Sequence, residues 1–119
     1  MISQVPTISS MRNAVEGRDA GLLKSFYDEN AILTIIDADH PPSHPKILTG
    51  AKAIGAFLDD VCSRGMTHTL DIGVLDKDKL AFVEGCQYRD SGARVVSSSV
   101  AELGPYGIIK QTIIQAWDK

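Results

Sequence analysis

The sequence predicts an α+β domain, with helices packed on one curved, mostly antiparallel sheet. Three observations carry this. Helical periodicity occurs only in the first 65 residues, and everything after it alternates like strands. The late strand-like segments are joined by "DKDK", "DSG" and "GPYG", which fit short hairpin turns. Those segments run to ten residues or more, and strands of that length bend. A bent sheet with helices on its concave side leaves a cavity, the default place for a ligand.

Each element has its own signal. "PTISSMRNAVEGRD" sets Ile8, Met11 and Val15 at helical spacing, with Pro6 and Thr7 as the start and Gly17 as the end. Asp19 can cap a second short helix, "AGLLKSFYDEN", with Leu22, Leu23, Phe26 and Tyr27 as its apolar face. "AILTIID" is short and β-branched, hence a strand. A proline-rich loop over 38–48 follows. Gly50 precedes "AKAIGAFLDDVCSRG", where Ile54, Phe57, Leu58 and Val61 mark an amphipathic helix ending near Gly65. "MTHTLDIGVL", "KLAFVEGCQYR", "ARVVSSSVAEL" and "GIIKQTIIQAWD" are then four strands of a meander. With no repeat or linker, one domain is expected over 1–119.

A chain of 119 residues buries roughly two thirds of its unfolded surface, so it needs no disulfide or metal to fold. Cys62 and Cys86 form no CxxC pair or disulfide framework and are expected to be reduced thiols. The net charge is −3 with both signs interspersed. No Lys/Arg cluster suggests nucleic acid or an acidic membrane as a partner. No apolar run approaches the roughly 18 residues that span a bilayer. "MISQVPTISS" lacks a basic segment followed by a hydrophobic one. The expected location is the cytoplasm.

Strand pairing predicts which residues face the cavity. A turn centred on Lys77 and Asp78 pairs 74 with 81, 72 with 83, 70 with 85 and 68 with 87. The inward row is then His68, Leu70, Ile72, Val74, Ala81, Val83, Gly85 and Gln87, with His68 beside Gln87 at its polar end. In the last strand Lys110 sends its own row outward, so Gln115 and Trp117 face inward. Ala31, Leu33, Ile35 and Asp37 share one face of the first strand, with Asp37 as the polar end. The register of "VVSSSVAE" stays open. The outer face, expected to hold Phe82, Tyr88 and Ile114 among polar residues, is too apolar for plain solvent surface. A homodimer formed sheet to sheet is expected there.

These residues resemble the NTF2-like superfamily, in particular its SnoaL-like and ketosteroid-isomerase-like branch. The resemblance covers about residues 8–118. Its carriers are "GRDAGLLKSFYDENAILTIID", "LTGAKAIGAFLDDV", "MTHTLDIGVLDKDKLAFVEGCQY" and "GIIKQTIIQAWD". It implies a cone: a curved sheet wrapped around three N-terminal helices, with a deep apolar pocket, usually in a dimer. Asp37 in "LTIID" matches the strand-end aspartate that is the general base of ketosteroid isomerases. Their first-helix tyrosine is replaced by Met11, and their late-strand acid by Val100 or its serine neighbours, so steroid isomerisation itself is not implied. His68 in "MTHTL" matches the histidine that related dehydratases use.

The residues themselves support a similar assignment. A general base must reach the substrate proton with a pKa near working pH. A carboxylate ending an apolar row is expected to be desolvated, which raises its pKa, so Asp37 is the candidate base. His68 is the candidate acid or hydrogen-bond donor. Gln87 and Gln115 would orient a ligand carbonyl or hydroxyl, and Trp117 would give an apolar wall. Asp39 and His40, in "DADHPPSHP", would sit at the mouth. His40 and His44 have a zinc spacing only on a helix, and Pro41, Pro42 and Pro45 forbid one. In an extended segment the two lie about 13 Å apart. No metal and no cofactor are therefore expected. Two readings remain: cofactor-free isomerase, dehydratase or cyclase chemistry on a small apolar, oxygen-bearing molecule, or a non-catalytic binding or interaction module.

Overall fold

The computed structural model describes residues 3–118. Met1, Ile2 and Lys119, the ends of the expected 1–119 domain and the first two residues of "MISQVPTISS", lie outside the described residues. Helix α1 spans Ile8–Glu16. Thr7 caps it reciprocally: its Oγ1 accepts from Ser10 N at 3.0 Å, and Ser10 Oγ accepts from Thr7 N at 2.8 Å. Helix α2 spans Ala20–Ser25, opened by Asp19 Oδ1 accepting from Leu22 N. The expected second helix ran on to Asn30. It stops at Ser25 because Tyr27 begins strand β1 (Tyr27–Ile36) and pairs with Ile108. Tertiary pairing thus overrides an apolar pattern that local spacing would continue as helix.

Strand β2 (Lys46–Thr49) lies where the sequence suggested loop. It pairs antiparallel with β1, from Ile32↔Thr49 to Ile35↔Lys46. Helix α3 (Ala51–Ser63) and strands β3 (Met66–Asp76), β4 (Lys79–Tyr88), β5 (Arg94–Gly104) and β6 (Gly107–Trp117) follow. The sheet order is β2-β1-β6-β5-β4-β3, with only β1 and β6 parallel. Three helices and this mixed, curved, unclosed sheet make an α+β cone.

The core lies between helices and sheet. Met11, Phe26, Leu33, Ile35, Ile54, Leu80 and Ile108 are essentially solvent-free, and each such side chain contributes about 1.5–3 kcal/mol. The parallel β1–β6 pair starts at a close approach. Ile108 N donates to Phe26 O at 2.7 Å, and Gly107 has φ 130°. A Cβ on Gly107 would lie 2.5 Å from Phe26 O, so only glycine fits there.

The β3–β4 hairpin corrects one expectation. Val74↔Ala81 and Ile72↔Val83 pair as expected, but a bulge at Asp71 shifts the register. Beyond it Leu70 pairs with Glu84 and His68 with Cys86. His68 and Leu70 face inward, while Ile72 and Val74 are exposed. On β4 the inward row is Leu80, Phe82, Glu84, Cys86 and Tyr88. Gln87 therefore faces out. Helix α1 supports the bulge: Leu70 N donates to Glu16 Oε2 at 3.1 Å, and Leu70 O accepts from Arg12 Nε at 3.5 Å. Side chains thus reach backbone groups beside the disturbed ladder. The outer face changes accordingly. Phe82 is buried and Tyr88 turns inward. Ile72, Val74, Val96, Val100 and Ile114 occupy the outer surface.

Candidate functional site

The concave face of the sheet and the helices enclose a cavity of about 470 Å³, within the range of small-molecule sites. The helical side is apolar: Met11, Val15, Phe57, Leu58 and Val61. Polar groups come from the strands, from the residues just past β1 and β6 and from the end of α3, and form three sets.

The first set lies on β3 and β4. The bulge brings His68, Glu84 and Cys86 onto one face of adjacent strands. His68 Nδ1 is 3.0 Å from Glu84 Oε2 and 3.1 Å from Cys86 Sγ, and the Cys86 thiol donates to Glu84 Oε2 at 2.9 Å. The His68 side chain is 4% exposed and that of Glu84 18%. With Glu84 accepting, Nδ1 carries a proton, and in the neutral ring Nε2 carries the lone pair. Nε2 is buried and has no hydrogen-bond partner among the described residues. Burial, then the Glu84 carboxylate, pushes the Cys86 thiol well above its ordinary pKa, so it stays protonated.

Among the described residues, these three also have ligand atoms close enough to hold a metal ion. Their spacings are hydrogen-bond lengths. A tetrahedral ion at about 2.0–2.3 Å from each atom would spread them by several tenths of an ångström. A hydrogen-bonded triad accounts for the geometry without an ion.

The second set lies deeper. Tyr27 donates to Gln111 Oε1 at 2.5 Å, and Gln111 Nε2 donates to Ser99 Oγ at 2.6 Å. All three are buried and line the cavity. Burial, then the Glu84 charge, raises the Tyr27 pKa, so its hydroxyl stays a neutral donor.

The third set rims the mouth: Asp37, Lys46, Arg64, Arg94, Gln115, Trp117 and Asp118. Asp37 ends the buried row of Ala31, Leu33 and Ile35, and its side chain is 7% exposed. Its Oδ1 accepts from Asp39 N at 3.0 Å and His40 N at 2.9 Å, and lies 2.9 Å from His40 Nδ1. The carboxylate thus ties down the start of the proline-rich loop.

The sequence candidates separate on this geometry. Asp37, His68, Gln115 and Trp117 line one cavity. Asp37 follows β1, second in the sheet, and His68 lies on β3, the last strand, so they approach it from opposite sides. Trp117 is 40% exposed, a rim residue more than a wall. Asp39 and His40 stand outside the lining and hold Asp37 instead. Gln87 is exposed, its amide donating to Gly92 O at 3.2 Å. Glu84, Cys86 and Gln111 are the residues that sequence reasoning passed over. A glutamine on the same face as Ile113, opposite to that of Lys110, was a usable signal, since a polar residue on an inward face needs a partner.

No family sequence model matches the chain, and no curated protein sequence does. Solved structures do. An NTF2-like protein of unknown function from Mesorhizobium loti matches with TM-score 0.73 at 12% identity, covering 99% of this chain and 100% of that one. One from Burkholderia xenovorans LB400 matches with TM-score 0.74 at 13% identity, over 94% and 80% of the two chains. A candidate ketosteroid isomerase from Kribbella flavida matches with TM-score 0.70 at 14% identity, over 93% and 74%. At these identities the likeness speaks for architecture, and it agrees with the three helices and the curved, mixed sheet. The chain has the fold of these NTF2-like proteins.

Proposed function

We propose that this chain binds a small, apolar, oxygen-bearing molecule in its cavity and moves a proton on it without a cofactor, as a SnoaL-like or ketosteroid-isomerase-like protein would. One observation carries the reading. His68 lines the cavity with Nδ1 fixed by Glu84, while Nε2 has no partner. A carboxylate on one ring nitrogen selects the tautomer that leaves the other as a base. A buried polar atom without a partner also calls for one. His68 is the acid–base group, Glu84 positions it, and Asp37 serves at the mouth.

The test uses 2-tetralone, an apolar ketone with exchangeable protons next to its carbonyl. Proton exchange into D2O is followed by NMR. The protein is expected to accelerate exchange over buffer, and His68→Gln to lose about 100-fold or more of that acceleration. Gln87→Ala, outside the cavity, is expected to exchange like the parent. Binding of 2-tetralone with exchange at the buffer rate would overturn the catalytic reading.

That outcome would favour the second reading, a non-catalytic binding module. It is supported by Asp37, whose Oδ1 is already committed to the loop. Under either reading the partner at the outer face is a second copy of the chain. Cross-strand rows there are uncharged and largely β-branched: Ile72–Val83–Ser98–Ile114 and Val74–Ala81–Val100–Thr112. An apolar surface of this kind can pack on itself across a two-fold axis. Sedimentation is expected to give a dimer, and Val100→Lys a monomer; a monomeric parent would overturn this. Cys62 and Cys86 are free thiols held protonated by burial, which fits a reducing compartment such as the cytoplasm.

A further inference from the structure

The Tyr27–Gln111–Ser99 cluster has more donors than it uses. Tyrosine and serine hydroxyls bring one hydrogen each and the glutamine amide two. In one amide orientation Tyr27 O–H goes to Gln111 Oε1 and one Gln111 N–H to Ser99 Oγ. The second amide hydrogen and the Ser99 hydroxyl hydrogen then have no acceptor among the described residues. Turning the amide over changes which hydrogens remain, not how many. Gln111 would then donate to Tyr27, Ser99 would donate to Gln111, and the Tyr27 hydroxyl would be left free. Either way two hydrogens remain on groups that are 4%, 3% and 2% exposed and that line the cavity.

Unspent donors buried beside an apolar cavity are costly unless a ligand supplies the acceptor. We propose that Tyr27, Gln111 and Ser99 form the receiving site for an acceptor oxygen of the ligand, a ketone oxygen or the enolate oxygen it becomes. This rests on the proton-transfer reading above and adds its other half. When a base removes a proton beside a carbonyl, negative charge moves onto oxygen, and fixed donors there lower the barrier. The polarised row, each donor feeding the next, strengthens its free end. These donors come from β1, β5 and β6, whereas α1 offers the cavity only the apolar Met11 and Val15.

The test compares 2-tetralone with tetralin, the same skeleton without oxygen. Affinities are measured for both, and the carbonyl stretch of bound 2-tetralone by infrared difference spectroscopy. The expected result is a stretch at lower wavenumber than in an alkane and a preference for the ketone. Ser99→Ala, Tyr27→Phe and Gln111→Leu should each cut that preference between about twofold and tenfold. Tetralin affinity should hold, which also certifies that each variant keeps its cavity. Should Gln111→Leu fail to fold, Ser99→Ala, which deletes one atom, decides alone. Equal binding of both probes with an unshifted stretch would overturn the donor site and leave the cavity reading standing. A shift that survives all three substitutions would overturn the assignment to this cluster. Binding of neither probe would overturn both readings.

Discussion

His68 and Asp37 reach the same cavity from opposite sides of the sheet, and their surroundings differ. His68 sits inside strand β3, held by two residues of the neighbouring strand. Its partners engage one ring nitrogen and leave the other without any. Asp37 sits where β1 ends. One of its oxygens takes two backbone N–H groups and faces a histidine ring, all from the loop it begins. A base needs an uncommitted lone pair and a rigid support. His68 meets both conditions. Asp37 spends much of its bonding capacity on the shape of the mouth. The comparison favours His68 as the proposed base, although the sequence made Asp37 the candidate base and His68 the candidate acid or donor.

The largest effect should come from breaking the support of His68. Glu84→Ala removes the acceptor of both the His68 Nδ1 proton and the Cys86 thiol. Leaving buried donors without a partner costs about 1–3 kcal/mol, measurable by urea denaturation. Glu84→Gln keeps an acceptor oxygen and should cost less. It also removes a charge that, after burial, holds the Cys86 pKa up. Alkylation of Cys86 at a fixed mildly alkaline pH should therefore quicken in Glu84→Gln. An unchanged denaturation midpoint in Glu84→Ala would show that the triad does not hold this wall.

The wall with the clearer chemistry was the harder one to read from sequence. Local signals served the rest well. Thr7 and Gly17 bound α1, the spacing of Ile54, Phe57, Leu58 and Val61 marks α3, and the turns mark the hairpins. The inward row ending in Asp37 follows from simple alternation in β1. The bulge at Asp71 is different. "HTLDIGVL" alternates straight through it, and its backbone is supported by Arg12 and Glu16, more than fifty residues earlier. One extra residue swaps the two faces of a strand relative to its partner. That swap hid Glu84 and Cys86 and promoted Gln87. Strand β2 was hidden for a similar reason, since "KILT" is a strand only through pairing with β1. Short-range pattern reports elements, whereas the register that builds a site depends on distant partners.

The smallest expected effect sharpens the other side of the comparison. Asp37→Asn keeps an oxygen that can accept from Asp39 N and His40 N, losing mainly the charge facing His40. As a cap it should cost only a few tenths of a kcal/mol, whereas Asp37→Ala should cost about 1 kcal/mol. Limited proteolysis of residues 38–45 reads this directly: faster cleavage in Asp37→Ala, near-parental cleavage in Asp37→Asn. The same Asp37→Asn protein then enters the 2-tetralone exchange assay. An intact loop with exchange within about threefold of the parent would mark Asp37 as a shaping residue. An intact loop with exchange reduced about 100-fold would restore it as a base and return the two walls to equal standing. The asparagine separates these roles because it removes the proton-accepting charge while preserving the hydrogen-bond geometry that alanine destroys.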